Sequence, residues 1–229
     1  MQIDALILSG GTGTRMGADC PKQFLPLAGS CVLKRTVEAF CSHPDISRVL
    51  VVSGASFLNE TNEILKTIAS EKLLPTVCGG STRQESSYLG LCALAREAVA
   101  PDYVLIHDAA RPLVSKEVIS RCIETVVSCG ACTASIPVQD TIISSDAPPL
   151  LQTVPDRATL FAVQTPQAFA FAEILAAHRN LPADAVVTDD TSVMRLAGYP
   201  VYLTQGDKKN IKITTPEDFW IAEAFLAHE

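Results

Sequence analysis

Ile3-Asp-Ala-Leu-Ile-Leu-Ser-Gly-Gly-Thr-Gly-Thr-Arg-Met-Gly17 is a short apolar run that breaks into a glycine-rich turn. Ile3–Leu8 reads as a buried strand and the glycines as the loop that follows it. Outward from this stretch the chain alternates. Cys31–Phe40 carries Val32, Leu33, Thr36, Val37 and Phe40 at helical spacing, and Val49–Ser53 reads as a strand. Ile64, Leu65 and Ile68 mark a helix, Leu73–Cys78 a short strand and Ser86–Ala98 a helix. Tyr103–Ile106 reads as a strand, Ser115–Val127 as a helix capped by Ser115, and Ala131–Val138 as a strand. The last helix opens with Thr215-Pro216-Glu217-Asp218, an N-cap followed by proline at the first helical position. This order predicts an α/β fold with a mostly parallel, Rossmann-like sheet and helices on both faces. Ligands of such sheets bind beyond the carboxyl ends of the strands. The loops after Leu8, Val77, Ile106 and Val138 are therefore the ones that matter.

The 229 residues fit one domain, 1–229, and Gln139–Arg157 interrupts its pattern. That segment is polar, contains Pro148-Pro149 and has alternating pieces on either side, so a protruding β-arm at about 139–158 is expected, a dimerisation element. Hydrophobic residues make up 48% and charged residues 19%, which excludes a disordered chain. The longest charge-free runs, Thr125–Gln139 and Ala158–Ala172, are 15 residues each, short of the roughly 20 a membrane helix needs. Residues 1–30 lack the basic start and apolar core of a signal peptide, so a cytoplasmic place is expected. The net charge of −7 argues against a nucleic-acid polymer as partner. Without a secretion signal, the eight cysteines read as packing residues and not as a disulfide framework. Cys129-Gly-Ala-Cys132 lacks a second ligand pair, and the four histidines show no zinc spacing.

The turn after the first strand carries the strongest chemical signal. Gly10, Gly11 and Gly13 allow close approach of a bound group to backbone N–H donors, and two cations follow, Arg15 and Lys22. A dinucleotide fingerprint would place a third glycine where Met16 stands, and GxxxxGK[ST] is absent. What remains suits a nucleoside triphosphate attacked at phosphorus. Asp108 follows a strand at its carboxyl end, where a carboxylate among phosphates calls for a cation between them; Mg²⁺ is the expected one. The lesser alternative is that Asp108 caps its loop or pairs with Arg111. Gly79, Gly80 and Ser86 suit a base pocket, with Arg83 and Glu85 bracing the turn. Arg111 and His107 read as structural, while Asp140, Asp189 and Asp190 are candidates for bonding substrate hydroxyls.

Taken together, Gly11-Thr-Gly-Thr-Arg-Met-Gly17, Pro21-Lys-Gln23, Gly79-Gly-Ser-Thr-Arg83 with Ser86, and His107-Asp-Ala-Ala-Arg-Pro112 resemble a known family. Asp140-Thr141, Thr165-Pro-Gln167, Thr188-Asp-Asp190 and Asn210-Ile-Lys212 extend the resemblance nearly end to end. It is to the 2-C-methyl-D-erythritol 4-phosphate cytidylyltransferases of non-mevalonate isoprenoid synthesis. Ser9-Gly10-Gly11 departs from the Ala-Ala-Gly usual there, and Gly-Gly is more typical of ribitol-5-phosphate cytidylyltransferases, which share the fold. The latter activity is the alternative, and a non-catalytic sugar-nucleotide-binding subunit is the alternative of another class.

The resemblance implies CTP as substrate, with Ser9, Gly10, Gly11, Thr12, Gly13, Gly80, Ser81, Ser86 and Ala109 around it. It implies Arg15, Lys22 and Lys212 as the catalytic cations, and Thr141, Arg157, Thr188 and Lys212 at a polyol phosphate. It also implies a homodimer in which Arg157, at the end of the arm, reaches the partner's site.

Overall fold

The computed structural model describes residues 1–11 and 21–228. Ile3–Ser9 forms β1, and it is buried along its whole length. Its side chains alternate between two cores. Ile3, Ala5 and Ile7 point into one, and Leu6 and Leu8 into the other, as a strand covered on both faces must do.

Pro26–Leu27 (β2) and Ser30–Cys31 (β3) form a small hairpin, from which α1 (Val32–Cys41) starts with the Cys31 sulfur accepting from the Lys34 N–H. β4 (Arg48–Ser53), α2 (Leu58–Leu65), β5 (Val77–Cys78), α3 (Arg83–Leu94), β6 (Tyr103–Asp108) and α4 (Lys116–Cys129) follow in alternation. The predicted Leu73–Cys78 strand is shorter than expected: Leu73 makes only a single bridge to Val49, and Val77 and Cys78 alone pair with β4. Conversely, the helix expected from Ser86 starts three residues earlier, because the Thr82 hydroxyl accepts from the Glu85 N–H and caps it. The Ser115 cap of α4 is as expected, and Gly130, at φ 84°, ends that helix.

β7 (Ala131–Pro137) is followed by β8 (Phe161–Ala170), α5 (Phe171–Arg179), α6 (Asp190–Leu196), β9 (Tyr202–Gln205) and α7 (Pro216–Ala227). The described sheet has seven strands in the order β5-β4-β1-β6-β8-β7-β9. All pairings are parallel except those of β8, which runs antiparallel to both β6 and β7. The mostly parallel sheet is as the alternation predicts; the reversed strand is not part of that expectation. α1 and α4 cover one face, where Leu33, Phe40, Val118 and Cys122 pack. α3, α5 and α6 cover the other, with Leu91, Ile174 and Met194. α7 closes a third cluster with Leu27, Val32 and Ile213; it starts at the expected Thr215 cap and Pro216, with Asp218 completing a capping box.

The segment from 139 to 158 leaves β7 and returns to β8 as an exposed excursion. Its ladder is a single bridge, Ser144 with Thr153, through two backbone hydrogen bonds of 3.0 and 3.2 Å. Ile143, Leu150, Leu151 and Val154 are exposed on it. No described helix is long and apolar enough to cross a membrane.

Candidate active site

β1 sits between β4 on one side and β6 on the other, so the carboxyl ends of β1 and β6 lie side by side, where ligands of such sheets bind. A cavity of about 270 Å³ lies there. Gly10 and Gly11 line it from β1, Gly80 to Arg83 and Ser86 from the start of α3, and Asp108 and Ala110 from β6. Lys22, Lys212 and Thr214 close it from the side of α7.

The glycine-rich turn after β5 is built by side chains folding back on the backbone. The Ser86 hydroxyl donates to the Thr82 carbonyl (2.8 Å) and accepts from the Gly80 N–H (3.1 Å). One of its lone pairs stays available to a ligand. Glu85 accepts from both the N–H and the hydroxyl of Ser81, at 2.7 and 2.8 Å. These bonds hold its carboxyl below the usual range. Gly79 is a steric requirement: a Cβ there would lie 2.8 Å from the Ser86 oxygen and 3.2 Å from Val52. Gly10 is not, since a Cβ would find only the Ser86 oxygen at 3.7 Å. An alanine at position 10 thus fits without reshaping the cleft.

Charge is concentrated at Asp108. One carboxylate oxygen meets Nε of Arg83 at 3.3 Å, and the other meets Nζ of Lys212 at 2.7 Å. Burial pushes the carboxyl up, but Arg83 and Lys212 outweigh it and hold Asp108 well below the usual range. Its side chain is 12% exposed and that of Lys212 is 40% exposed, so the pair sits at the mouth of the cavity. Lys22 donates from Nζ to the Ile213 carbonyl at 2.8 Å, one residue beyond Lys212. Lys22 and Lys212, from opposite ends of the chain, are thereby brought to one wall.

Arg83 extends this charge inward. Its Nη1 donates to Asp190 at 2.7 Å, and Asp190 is fully buried. Asp190 also accepts from the Ser87 hydroxyl at 2.6 Å and faces Nε2 of His178 at 3.1 Å. Asp189 caps α6, taking the Ser192 N–H at 2.9 Å, and bonds Gln167 at 2.7 Å. Both aspartates are consumed by the protein, which corrects the expectation that they bond substrate hydroxyls.

The remaining predicted residues divide by position. Thr12, Gly13 and Arg15 lie outside the described residues. Ser9 is buried and its hydroxyl has no hydrogen-bond partner among the described residues. Ala109 is turned away from the cleft: its methyl is in the core, its N–H bonds Leu8 and its carbonyl accepts from Thr36. Ala110 faces the cavity in its place. Thr188 lines a separate hollow of about 100 Å³ that shares Thr82 and Arg83 with the main cavity. Thr141 and Arg157 are exposed at the base of the arm, and neither lines the cavity of its own chain; Arg157 donates to the Gln139 carbonyl at 2.9 Å.

His107 and Arg111 are structural, as expected. His107 is fully buried between the Thr165 hydroxyl (2.9 Å) and the Arg111 carbonyl (3.1 Å), and burial takes its pKa down to about 4. Arg111 donates to the carbonyl of Asn210 at 2.8 Å. Asn210 in turn donates to the Thr165 carbonyl at 2.8 Å, so β8 anchors the turn that carries Lys212.

The family model for IspD, 2-C-methyl-D-erythritol 4-phosphate cytidylyltransferase, matches residues 3–228. The chain belongs to this family. A bifunctional enzyme IspD/IspF from Nitrobacter hamburgensis is 44% identical over 97% of the chain. The chain spans about half the length of such curated relatives, 55% in that case. Among solved structures, 2-C-methyl-D-erythritol 4-phosphate cytidylyltransferase from Thermus thermophilus is 31% identical, with a TM-score of 0.77, over 99% of this chain and all of that one. The 4-diphosphocytidyl-2C-methyl-D-erythritol synthase from Anaerococcus prevotii superposes with a TM-score of 0.85 at 27% identity, covering 99% and 96% of the two chains. Members of the IspD family thus share the sheet and its crevice, and the resemblance read from the motifs is borne out.

Among the described residues, no three His, Cys, Asp or Glu side chains converge as a metal cage. Asp108 is a single carboxylate facing the cavity, and that donor set fits Mg²⁺, which takes one or two carboxylates and completes its shell with phosphate oxygens and water.

Proposed function

We propose that the chain transfers the cytidylyl group of CTP to 2-C-methyl-D-erythritol 4-phosphate, working in the cytoplasm as a homodimer. Family membership supports the reaction. The observation that carries it is the convergence of Lys212 and Arg83 on Asp108 at the mouth of a glycine-walled cavity that Lys22 also lines.

Two polyanions must meet in this reaction. A phosphate oxygen of the polyol phosphate attacks the α-phosphorus, the bond to the β-phosphate oxygen breaks, and pyrophosphate leaves. A phosphate dianion is already nucleophilic near neutral pH, so no general base is required. Catalysis then rests on positioning and on cations placed where charge develops. Lys22 and Lys212 occupy that wall, and Arg15 is assigned to the triphosphate from the same loop as Gly10 and Gly11. Asp108 is the residue that would hold Mg²⁺, which supplies charge neutralisation across the phosphates. Gly80, Ser81 and Ser86 form the base pocket, where the free lone pair of Ser86 is an acceptor for a pyrimidine amino group. Thr188 lies beside the cavity on the side assigned to the polyol phosphate. Thr141 and Arg157 project from the arm, whose exposed Ile143, Leu150, Leu151 and Val154 suit burial against a second copy. In that arrangement each Arg157 serves the partner's site.

Incubation with CTP, Mg²⁺ and either 2-C-methyl-D-erythritol 4-phosphate or ribitol 5-phosphate tests the proposal through pyrophosphate release. Release with the first acceptor alone is expected. Release with ribitol 5-phosphate alone would overturn the choice of acceptor, and release with neither would overturn cytidylyl transfer.

A further inference from the structure

The cavity explains Lys22, Lys212 and Asp108, but it leaves a chain of buried polar groups behind Arg83 without a task. Arg83 stands at the first position of α3, directly after the Thr82 cap. A cation there opposes the helix dipole, so the position is unfavourable unless acids compensate it. Two do, from different elements. Nε faces Asp108 on β6 at 3.3 Å and Nη1 faces Asp190 on α6 at 2.7 Å. The guanidinium is planar and its donors point in fixed directions, so two carboxylates on different edges fix its orientation.

Asp190 does not line the nucleotide cavity. Its Oδ2 is committed to Arg83, while its Oδ1 takes Ser87 at 2.6 Å and His178 Nε2 at 3.1 Å. Nδ1 of His178 faces the side-chain amide nitrogen of Gln84 at 3.2 Å. That arrangement makes Nδ1 an acceptor and places the His178 proton on Nε2, toward Asp190. Burial pushes Asp190 up, yet Arg83 and His178 outweigh it and keep it ionised. Buried ionic clusters of this kind seldom add stability over apolar packing. This one runs from the interior to the single carboxylate at the cavity mouth.

We infer that Arg83 is a positioning residue for Asp108, and that Asp190 acts through it by fixing the guanidinium. Held from both sides, Arg83 gives Asp108 one N–H and leaves its second oxygen toward Lys212 and the cavity. Released from Asp190, the guanidinium is free to turn its full fork onto Asp108, covering both oxygens and neutralising the charge that the site displays. The inference rests on the proposed cytidylyl transfer, because Asp108 is assigned there.

Substitutions at the two oxygens of Asp190 separate positioning from mere support. Asp190→Asn weakens the Oδ2 contact to Arg83, and Ser87→Ala removes a bond to Oδ1 alone. Both are expected to lower Tm. Asp190→Asn is further expected to cut kcat about tenfold or more with calorimetric CTP affinity within about threefold of the parent. Ser87→Ala is expected to leave kcat unchanged. Arg83→Lys keeps the charge but cannot span both acids, and is expected to lose kcat to a similar degree. Should Asp190→Asn fail to fold, Arg83→Lys is read against Ser87→Ala instead.

In a double-mutant cycle, Arg83→Gln with Asp190→Asn is expected to be no slower than Arg83→Gln alone, since Asp190 acts only through Arg83. Additive losses would overturn the inference. So would unchanged kcat in the folded Asp190→Asn and Arg83→Lys proteins, or an equal kcat loss in Ser87→Ala. An inactive parent protein with CTP and either acceptor would overturn cytidylyl transfer and this inference with it; an active parent isolates the inference.

Discussion

Replacing Asp108 by Asn removes one negative charge from between two cations. The carboxylate accepts from Arg83 Nε at 3.3 Å and from Lys212 Nζ at 2.7 Å. An asparagine amide keeps one acceptor and turns its NH₂ toward the other cation. A hydrogen bond to a charged group contributes about 1.5–3 kcal/mol. The Lys212 share is discounted because that side chain is 40% exposed and its charge returns to water. Arg83 retains Asp190, so no buried charge is left alone. The net loss is then about 2 kcal/mol, or about 4–8 °C in Tm for a chain of this size. The pH dependence gives the sign. Asp108 has a folded pKa below its unfolded value, so its contribution is complete above the unfolded pKa of about 3.9 and is lost as pH falls through the folded value. The Tm gap between the parent and Asp108→Asn is therefore expected to be constant from about pH 5 to 8 and to narrow below about pH 4. Calorimetry over that range measures it. A gap that stays full at pH 2, or that opens only above pH 6, would refute the assignment of the contribution to an ionised Asp108. In parallel, the Mg²⁺ needed for half-maximal pyrophosphate release is expected to rise steeply, and an unchanged metal titration would remove Asp108 from the metal role.

Lys22→Ala is expected to lower kcat by about 10²–10³, the cost of about 3–4 kcal/mol for one lost transition-state donor, with the fold intact by circular dichroism. Near-parent turnover would remove Lys22 from catalysis. Gly80→Ala drives a methyl into the Glu85 side chain, which must then release Ser81; a raised KM for CTP with little change in Tm is expected from steady-state kinetics. Ser9→Ala deletes a buried hydroxyl that has no partner among the described residues, so Tm is expected to rise or stay level, and a fall would reveal a bond to that oxygen. Mixing Arg157→Ala with Lys22→Ala subunits is expected to restore some activity; none after proven subunit exchange would put both residues in one chain's site.

The parallel strands β1, β4, β6 and β7 were legible because each is a short apolar run and the helices between them keep one apolar face; β9, a mostly exposed Tyr-Leu-Thr-Gln, was not. β8 was not. Its first three residues are exposed, its later ones are buried on both faces, and Pro166 interrupts it, so neither alternation nor a clean apolar run marks a strand. α6 is only seven residues long, too short for periodicity to register. At the site, the glycine turns and Asp108 were readable from strand ends, since topology alone sends ligands there. At the turn after β6 it is Ala110 that lines the cavity, while the Ala109 methyl packs into the core. Arg83 was read only as a brace. Its second partner lies 107 residues away, and no local spacing reports it. One signal was available: a cation at the first turn of a helix implies an acid elsewhere.

The reversal of β8 has a consequence for how the family can vary. Pro137 at the end of β7 pairs with Phe161 at the start of β8, so the excursion between them begins and ends at the same edge of the sheet. It needs no crossover. Lengthening such a loop costs only about 0.6 kcal/mol per doubling, whereas a change in the turn after β1 acts on a strand buried at every position. Strand ends locked into a core buried on both faces leave little room for change, while segment 139–158 can lengthen without reopening that core. The roles proposed for Thr141 and Arg157 thus sit on the stretch that insertion can rewrite.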